Sequence, residues 1–240
     1  VAEVRGHLAG AGSADIQPVG PIEVKFPITN VDRAVGATLA YRMVLSELDP
    51  RAADGTRRPV NLTFDGYAGQ AFGFNLIDGM YMRLDGFGND SVGKAMSGGK
   101  LVVRQPRVVD KRSDNSAIGN AACYGATGGI LYVEGRAGQR LGVRNSGAIM
   151  VTEGAGKYAF EYMTGGVGVV LGPVNPVLGS GMTGGVVWLL DEDGLAAERL
   201  HKDVKVDAAT PEDLAGLRGL IQDYAAETGS ERAKRLLLDW

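Results

Sequence analysis

The stretch EYMTGGVGVVLG (161–172) returns nineteen residues later as SGMTGGVVWLLD (180–191). A glycine turn leading into an apolar run can cradle a phosphate, or it can turn the corner of a stacked coil. The spacing of the other glycines decides between the two. The turn-ending glycines fall at Gly79, Gly99, Gly129, Gly147, Gly166 and Gly185, at intervals of 20, 30, 18, 19 and 19 residues. The long interval contains RQPRVVDKRSDNSAI (104–118), which reads as one loop inserted into a regular series. Each glycine precedes a short apolar run, such as ILYVEG or AIMVTEG, rich in Val, Ile and Leu and too short for a helix.

A period near nineteen residues cannot hold a strand, two bends and a helix. Such a unit cannot bury its own apolar face, but it can do so against a copy of itself. Successive strands then pair in parallel about 4.8 Å apart. The sharp corners need positive φ or close backbone approach, which glycine alone takes without steric cost. The expected fold is an all-β solenoid, a right-handed parallel β-helix of about six to seven coils, with a C-terminal α-helical hairpin. Met163 and Met182 then fall at equivalent places in adjacent coils.

The phosphate reading fails on its templates. EGAGKY puts Tyr158 after the lysine where a P-loop needs Ser or Thr, and GAGKYA ends in Ala159 with no amphipathic helix behind it. GAGSAD (10–15) fails in the same way.

Bulk composition narrows the classes further. The chain has 240 residues, 37 of them glycine, and a net charge of −3 with acids and bases mixed. No Lys/Arg run supplies the footprint of a nucleic-acid binder. No apolar run reaches the roughly 20 residues of a membrane span, and VAEVRGHLAG lacks a signal-peptide core, so a cytoplasmic protein is expected. Cys123, the one cysteine, excludes an internal disulfide and reads as a small buried residue. His7 and His201 lie far apart and read as surface residues.

The expected domains are an irregular lead-in over 1–25, the β-helix over 26–200 with its insertion at 104–118, and a helical tail over 201–240. The segment 21–44 reads as a lead-in followed by a first coil with Gly36 in its turn, and 49–59 as a polar loop. The tail has Thr210 as N-cap, Pro211 at N1 and Asp213 at N3. Leu214, Leu217, Ile221 and Tyr224 make one apolar stripe. Gly229 ends that helix and Ser230 caps a second, with Ala233, Leu236, Leu237 and Trp240 near one face. An open solenoid end needs covering, and this hairpin is the candidate cover.

No catalytic constellation emerges. Asp65, Asp85, Glu134 and Glu153 each precede a coil glycine, which reads as a stacked polar ladder or a solvated corner. DEDG (191–194) adds a cluster of acids. A glycosidase pair needs two carboxylates aimed at one cleft, and two histidines do not supply a triad. No catalytic, cofactor-binding or metal-binding residue is expected in this chain.

GNDSVGKAMSGGKLVVRQP, GNAACYGATGGILYVEGRAGQRLGVRNSGA, VTEGAGKYAFEYMTGG and GSGMTGGVVWLLDEDG resemble the C-terminal GXGXG domain of the glutamate synthase large subunit. LRGLIQDYAAETGSERAKRLLLDW resembles its helical tail, so the likeness runs over about 25–240. It implies a right-handed β-helix that binds neither flavin nor glutamine. Its place is between a class II glutamine amidotransferase domain and an FMN-binding synthase domain. Both are expected as separate subunits of a hetero-oligomer, with FMN, and in some systems an iron–sulfur cluster, in the partner. N-methylglutamate synthase, which joins glutamate and methylamine, is the first such system and a three-part glutamate synthase the second. A stand-alone solenoid enzyme and a protein like the solenoid component of formylmethanofuran dehydrogenase are the contrasting readings.

Overall fold

The computed structural model describes residues 21–45, 58–110 and 112–240. Its frame is a ten-stranded, parallel sheet. Eight strands run in chain order along the main path: β1 (Ile22–Ile28), β2 (Val60–Ala68), β3 (Met80–Gly88), β4 (Ser97–Arg104), β6 (Gly128–Val133), β8 (Ser146–Thr152), β9 (Thr164–Val170) and β10 (Gly184–Leu189). β5 (Ser116–Ile118) and β7 (Arg136–Ala137) start a second ladder beside it, continued by Ala155 and Val174. Parallel neighbours one repeat apart are the arrangement a solenoid requires.

In β2 and β3 side chains alternate between inside and outside. Val60, Leu62 and Phe64 point inward, in register with Met80, Met82 and Leu84. The ladder continues through Leu101, Leu131 and Met150. At its next rung stands Gly168, where a Cβ would come within 2.5 Å of the Phe160 ring, so Phe160 fills the core there. Of the two methionines at equivalent positions, Met163 is buried in the same core and Met182, partly buried, packs against it.

From β4 onward the alternation disappears. LVV, LYV, MVT and GVV are buried on both faces. Val102, Tyr132, Val151 and Val169 form an outer apolar patch, and the helical tail lies on it. The tail comprises α3 (Pro211–Thr228) and α4 (Glu231–Leu238), after α1 (Ala37–Val44) and the single-turn α2 (Ala196–Arg199). The Thr210–Asp213 capping box is formed, Gly229 is left-handed at φ 75°, and Ser230 Oγ accepts from Ala233 N–H. Ile221, Tyr224 and Ala233 are buried, while Leu214 and Trp240 remain about two-fifths exposed. The hairpin therefore covers the flank of the sheet rather than its open end, because the apolar outer faces of β4, β6, β8 and β9 are what it can bury.

Two further expectations are corrected in part. β1 begins at Ile22, inside the segment 1–25 read as irregular, and pairs with β2 along its whole length. Gly36 does turn the corner of the first coil, left-handed at φ 101° and with Ala34 and Val35 bonded to the corner of the next coil. But α1, which was not expected, follows it directly, because Leu39, Ala40 and Met43 have helical spacing and enter the core. Residues 1–20 and most of the loop 49–59 lie outside the described residues. The insertion does break the repeat, yet its last residues form β5, whose Ile118 bridges to Gly88 of β3.

The corner between coils is a second hydrogen-bonded ladder. Each corner has three left-handed residues at alternate positions: Ala71, Gly73 and Asn75, then Ser91, Gly93 and Ala95, then Ala121, Cys123 and Gly125. Their N–H groups point alternately to the following and preceding coil. Ala71 donates to Asp90 O, Gly73 to Val35 O, and Asn75 to Lys94 O. Reversal at each residue lets one corner bond both neighbours.

Five of the six turn glycines have φ between 74° and 90°. The exception is Gly147. By strand register, Ala148 is the residue equivalent to Gly99, Gly129, Gly166 and Gly185, and it is not left-handed. Here the buried Asn145 shapes the bend: its Oδ1 accepts from Ala148 N–H at 2.9 Å and its Nδ2 donates to Ala148 O at 2.9 Å and Gly165 O at 3.1 Å. A Cβ on Gly166 would press on Ala148 O and come within 2.6 Å of Asn145 Nδ2, at a φ of 85°. Gly166→Val should therefore cost about 3 kcal/mol from left-handed strain and overpacking together, read as a lower urea midpoint. An unchanged midpoint would sink the corner reading.

Candidate functional site

Among the described residues no three His, Cys, Asp or Glu side chains could share a metal ion, and no helix is long and apolar enough to cross a membrane. Cys123 is wholly buried, and burial pushes its thiol up to about 12. His201 faces Asp203, with Nδ1 3.5 Å from Oδ2; His7 lies outside the described residues. The DEDG acids are occupied with structure: Asp193 grips Arg199, Glu192 meets Arg232, and Asp191 accepts from Ala196 N–H. The six turn glycines lie one coil apart along the sheet and do not converge on a pocket.

The four glycine-preceding acids divide. Asp65 is exposed and pairs in register with the half-buried Asp85, as a polar ladder requires. Glu134 and Glu153 are 2 % and 1 % exposed, so the solvated-corner reading fails for them. The helical tail covers their coils, and they form the densest polar cluster described.

Its inner layer joins three separate segments. Arg107 and Arg112, both from the insertion, donate to Glu134 Oε1 at 2.9 and 2.8 Å. Arg107 also donates to Thr228 O at 2.7 Å, near the C-terminus of α3, where carbonyls lack helical partners. Glu153 Oε1 accepts from Ser230 Oγ, the hydroxyl that caps α4. Tyr224 OH donates to Val133 O at 2.9 Å, and its ring meets Tyr132 edge-on with centroids 5.5 Å apart.

An outer layer surrounds it. Lys100 Nζ reaches Asp223 at 3.0 Å and Glu227 at 2.8 Å, and lies over the Tyr132 ring. Tyr132 OH donates to Asp223 and Tyr81 OH to Glu227. Burial first, then Glu227, pushes the Tyr81 phenol up to about 12. Both hydroxyls thus remain donors throughout the physiological range.

Chemically, this cluster is a joint. Its inner carboxylates, Glu134 and Glu153, are shut inside the protein. Of the outer ones, Asp223 is about half exposed and Glu227 lines a cleft of about 680 Å³ with Glu23, Lys25 and Tyr81. The cleft of about 620 Å³ near Tyr67, Phe87, Asn30 and Asn89 is lined by no carboxylate, histidine, cysteine or cation. Sequence reasoning missed Lys100, Arg107, Arg112, Asp223 and Glu227. One signal was available: VEG and TEG place an acid at the end of runs that are apolar on both faces.

The family profile described as GXGXG motif matches residues 7–240. Ferredoxin-dependent glutamate synthase 2 of Synechocystis is 42% identical over 220 residues, covering 90% of this chain and 14% of that protein. The chloroplastic ferredoxin-dependent glutamate synthase of Spinacia oleracea is 43% identical over 216 residues, covering 89% and 13%. Glutamate synthase [NADH] of Schizosaccharomyces pombe is 41% identical over 224 residues, covering 92% and 10%. The chain thus spans about a seventh or less of the length of these relatives.

The buried joint carries a pH signature. Burial raises the Glu153 carboxyl above its ordinary value of 4.5, the nearby Glu134 adds to the rise, and the Ser230 bond opposes it. A carboxyl whose folded pKa is raised contributes its full stability below the unfolded pKa and loses it as pH rises through the folded pKa. Glu153→Gln keeps an oxygen to accept from Ser230 and removes the ionisation. The variant should gain stability relative to the parent as pH rises from 5 to 8, measured by urea unfolding. A difference that does not change with pH would refute the assignment.

Proposed function

The chain belongs to the GXGXG family, and we propose from that premise that it is a scaffold in a glutamate-synthase-type enzyme. In this reading it bridges an FMN-binding synthase part and a class II glutamine amidotransferase-like part, and carries no active site of its own. The observation that carries it is the likeness, above 40% identity, to about a seventh of each of two multidomain glutamate synthases, along nine-tenths of this chain. Two structural features support it. The inner carboxylates of the polar cluster, Glu134 and Glu153, are sealed, and the cluster joins segments of one chain. The frame is a regular stack, which we read as the right-handed β-helix of about six to seven coils, suited to holding two bodies at a fixed separation.

Within this class the N-methylglutamate synthase type is our first reading, on the resemblance described above, with glutamate and methylamine as substrates handled by the partner parts. A three-part glutamate synthase is the second. FMN belongs to the synthase part in both. Native mass spectrometry of the protein from its own cells should find it in complex with a flavoprotein and an amidotransferase-like part, linked covalently or as subunits. The purified complex should release N-methylglutamate when given glutamate and methylamine. A chain that is always alone, or that binds FMN by itself, would overturn the scaffold reading.

A further inference from the structure

Two corners spend conformational strain on bulky side chains that lie outside the apolar core. At the first left-handed position the successive coils carry Ala71, Ser91, Ala121, Arg140 and Tyr158; at the last they carry Asn75, Ala95, Gly125, Arg144 and Tyr162. The early coils use small residues or asparagine, which tolerate positive φ. The next two use Arg140 (φ 61°), Arg144 (φ 56°), Tyr158 (φ 63°) and Tyr162 (φ 54°), and the last carries Val177 and Gly181. Bulky residues there are uncommon and strained. Phe160, also left-handed, has a packing reason because it fills the core. None of these four enters the core: Arg140, Arg144 and Tyr162 are exposed, Tyr158 is half-buried, and the Tyr162 ring lies against Gly181 of the next coil.

Their arrangement is ordered across coils. The Arg140 guanidinium lies over the Tyr158 ring at 5.7 Å, and Arg144 over Tyr162 at 5.9 Å. Lys94 does the same over Tyr124 at 5.6 Å. A ring beneath each cation holds it upright without consuming its N–H donors. Among the described residues Lys94, Arg144 and Lys157 have no carboxylate within 4 Å, and Arg140 only reaches Glu161 at 4.0 Å. The strip is therefore cationic on a chain whose net charge is −3.

We propose that this strip, centred on Arg140, Arg144, Lys157 and Tyr162, is the contact face for a carboxylate-rich protein surface of the partner assembly. The proposal rests on the scaffold reading and says which corner of the stack meets a partner and by what chemistry. Upright guanidinium groups with free donors match surface carboxylates, which they bind through two parallel hydrogen bonds. The flanking tyrosine rings supply amphipathic contact area of the kind enriched at interfaces.

The test uses Arg140→Gly/Arg144→Gly in the complex purified from its own cells. Glycine suits both backbones, and Gly125 already occupies the Arg144 position one coil away, so the variant should fold. Expected are a urea midpoint equal to or above the parent's and a roughly tenfold or greater rise in the concentration at which half the complex dissociates. Dissociation of the parent should increase between 50 and 300 mM salt more steeply than that of the variant. If the parent assembles and the variant matches it at every salt concentration, this inference fails while the scaffold reading stands. If the parent has no partner at all, the scaffold reading fails and takes the inference with it. A variant that loses stability and assembly together marks the arginines as structural and overturns the proposal. So does salt-sensitive binding of duplex DNA or RNA by the parent that the variant lacks.

Discussion

Every backbone N–H and C=O between two coils has only the neighbouring coil to bond. A buried amide left without a partner costs about as much as a lost hydrogen bond. Each coil must therefore match its neighbours in register along the strand and again at the corner. The alternating left-handed residues answer this requirement at the corner. They turn successive N–H groups up and down, so one segment serves the coil on either side. Several of these residues are not glycine. Ala71, Ser91, Ala121 and Cys123 accept strained backbones because interlocking coils hold them there.

This requirement explains which parts of the fold were legible in the sequence. Glycines at 18–20 residue intervals report where the chain must bend, and Val- and Ile-rich runs report what it must bury. Register then follows from stacking. Gly147 shows the limit of reading by letter. It stands one residue before the bend, and the bend itself is made at Ala148 with the help of Asn145, a residue in no glycine pattern. α1 was missed because its apolar spacing was outweighed by the glycine before it. The caps of α3 and α4 were legible because capping is local chemistry; where the hairpin would lie was not, because it depends on the outer faces of four strands far away in sequence.

The polar joint under the hairpin was hidden for the same reason. Glu134 and Glu153 look like the exposed Asp65 and the half-buried Asp85 until the hairpin covers their coils. Each buried charge then needs a partner. Glu134 finds two in Arg107 and Arg112 from the insertion. The insertion thus braces the tail against the sheet, and this interruption of the repeat is tied to the coil that follows it.

That long coil also shows that the contour length of one turn is free while its height is not. Thirty residues separate Gly99 from Gly129, yet β4 and β6 pair as closely as strands nineteen residues apart. Length is absorbed sideways as loop, and the axial step stays near 4.8 Å. Such a stack behaves as a ruler with fixed graduations. Inserting or deleting a whole coil would change the separation of bodies held at its two ends by one graduation, without altering either contact surface. Loops of any size could meanwhile grow from its sides and leave that separation untouched.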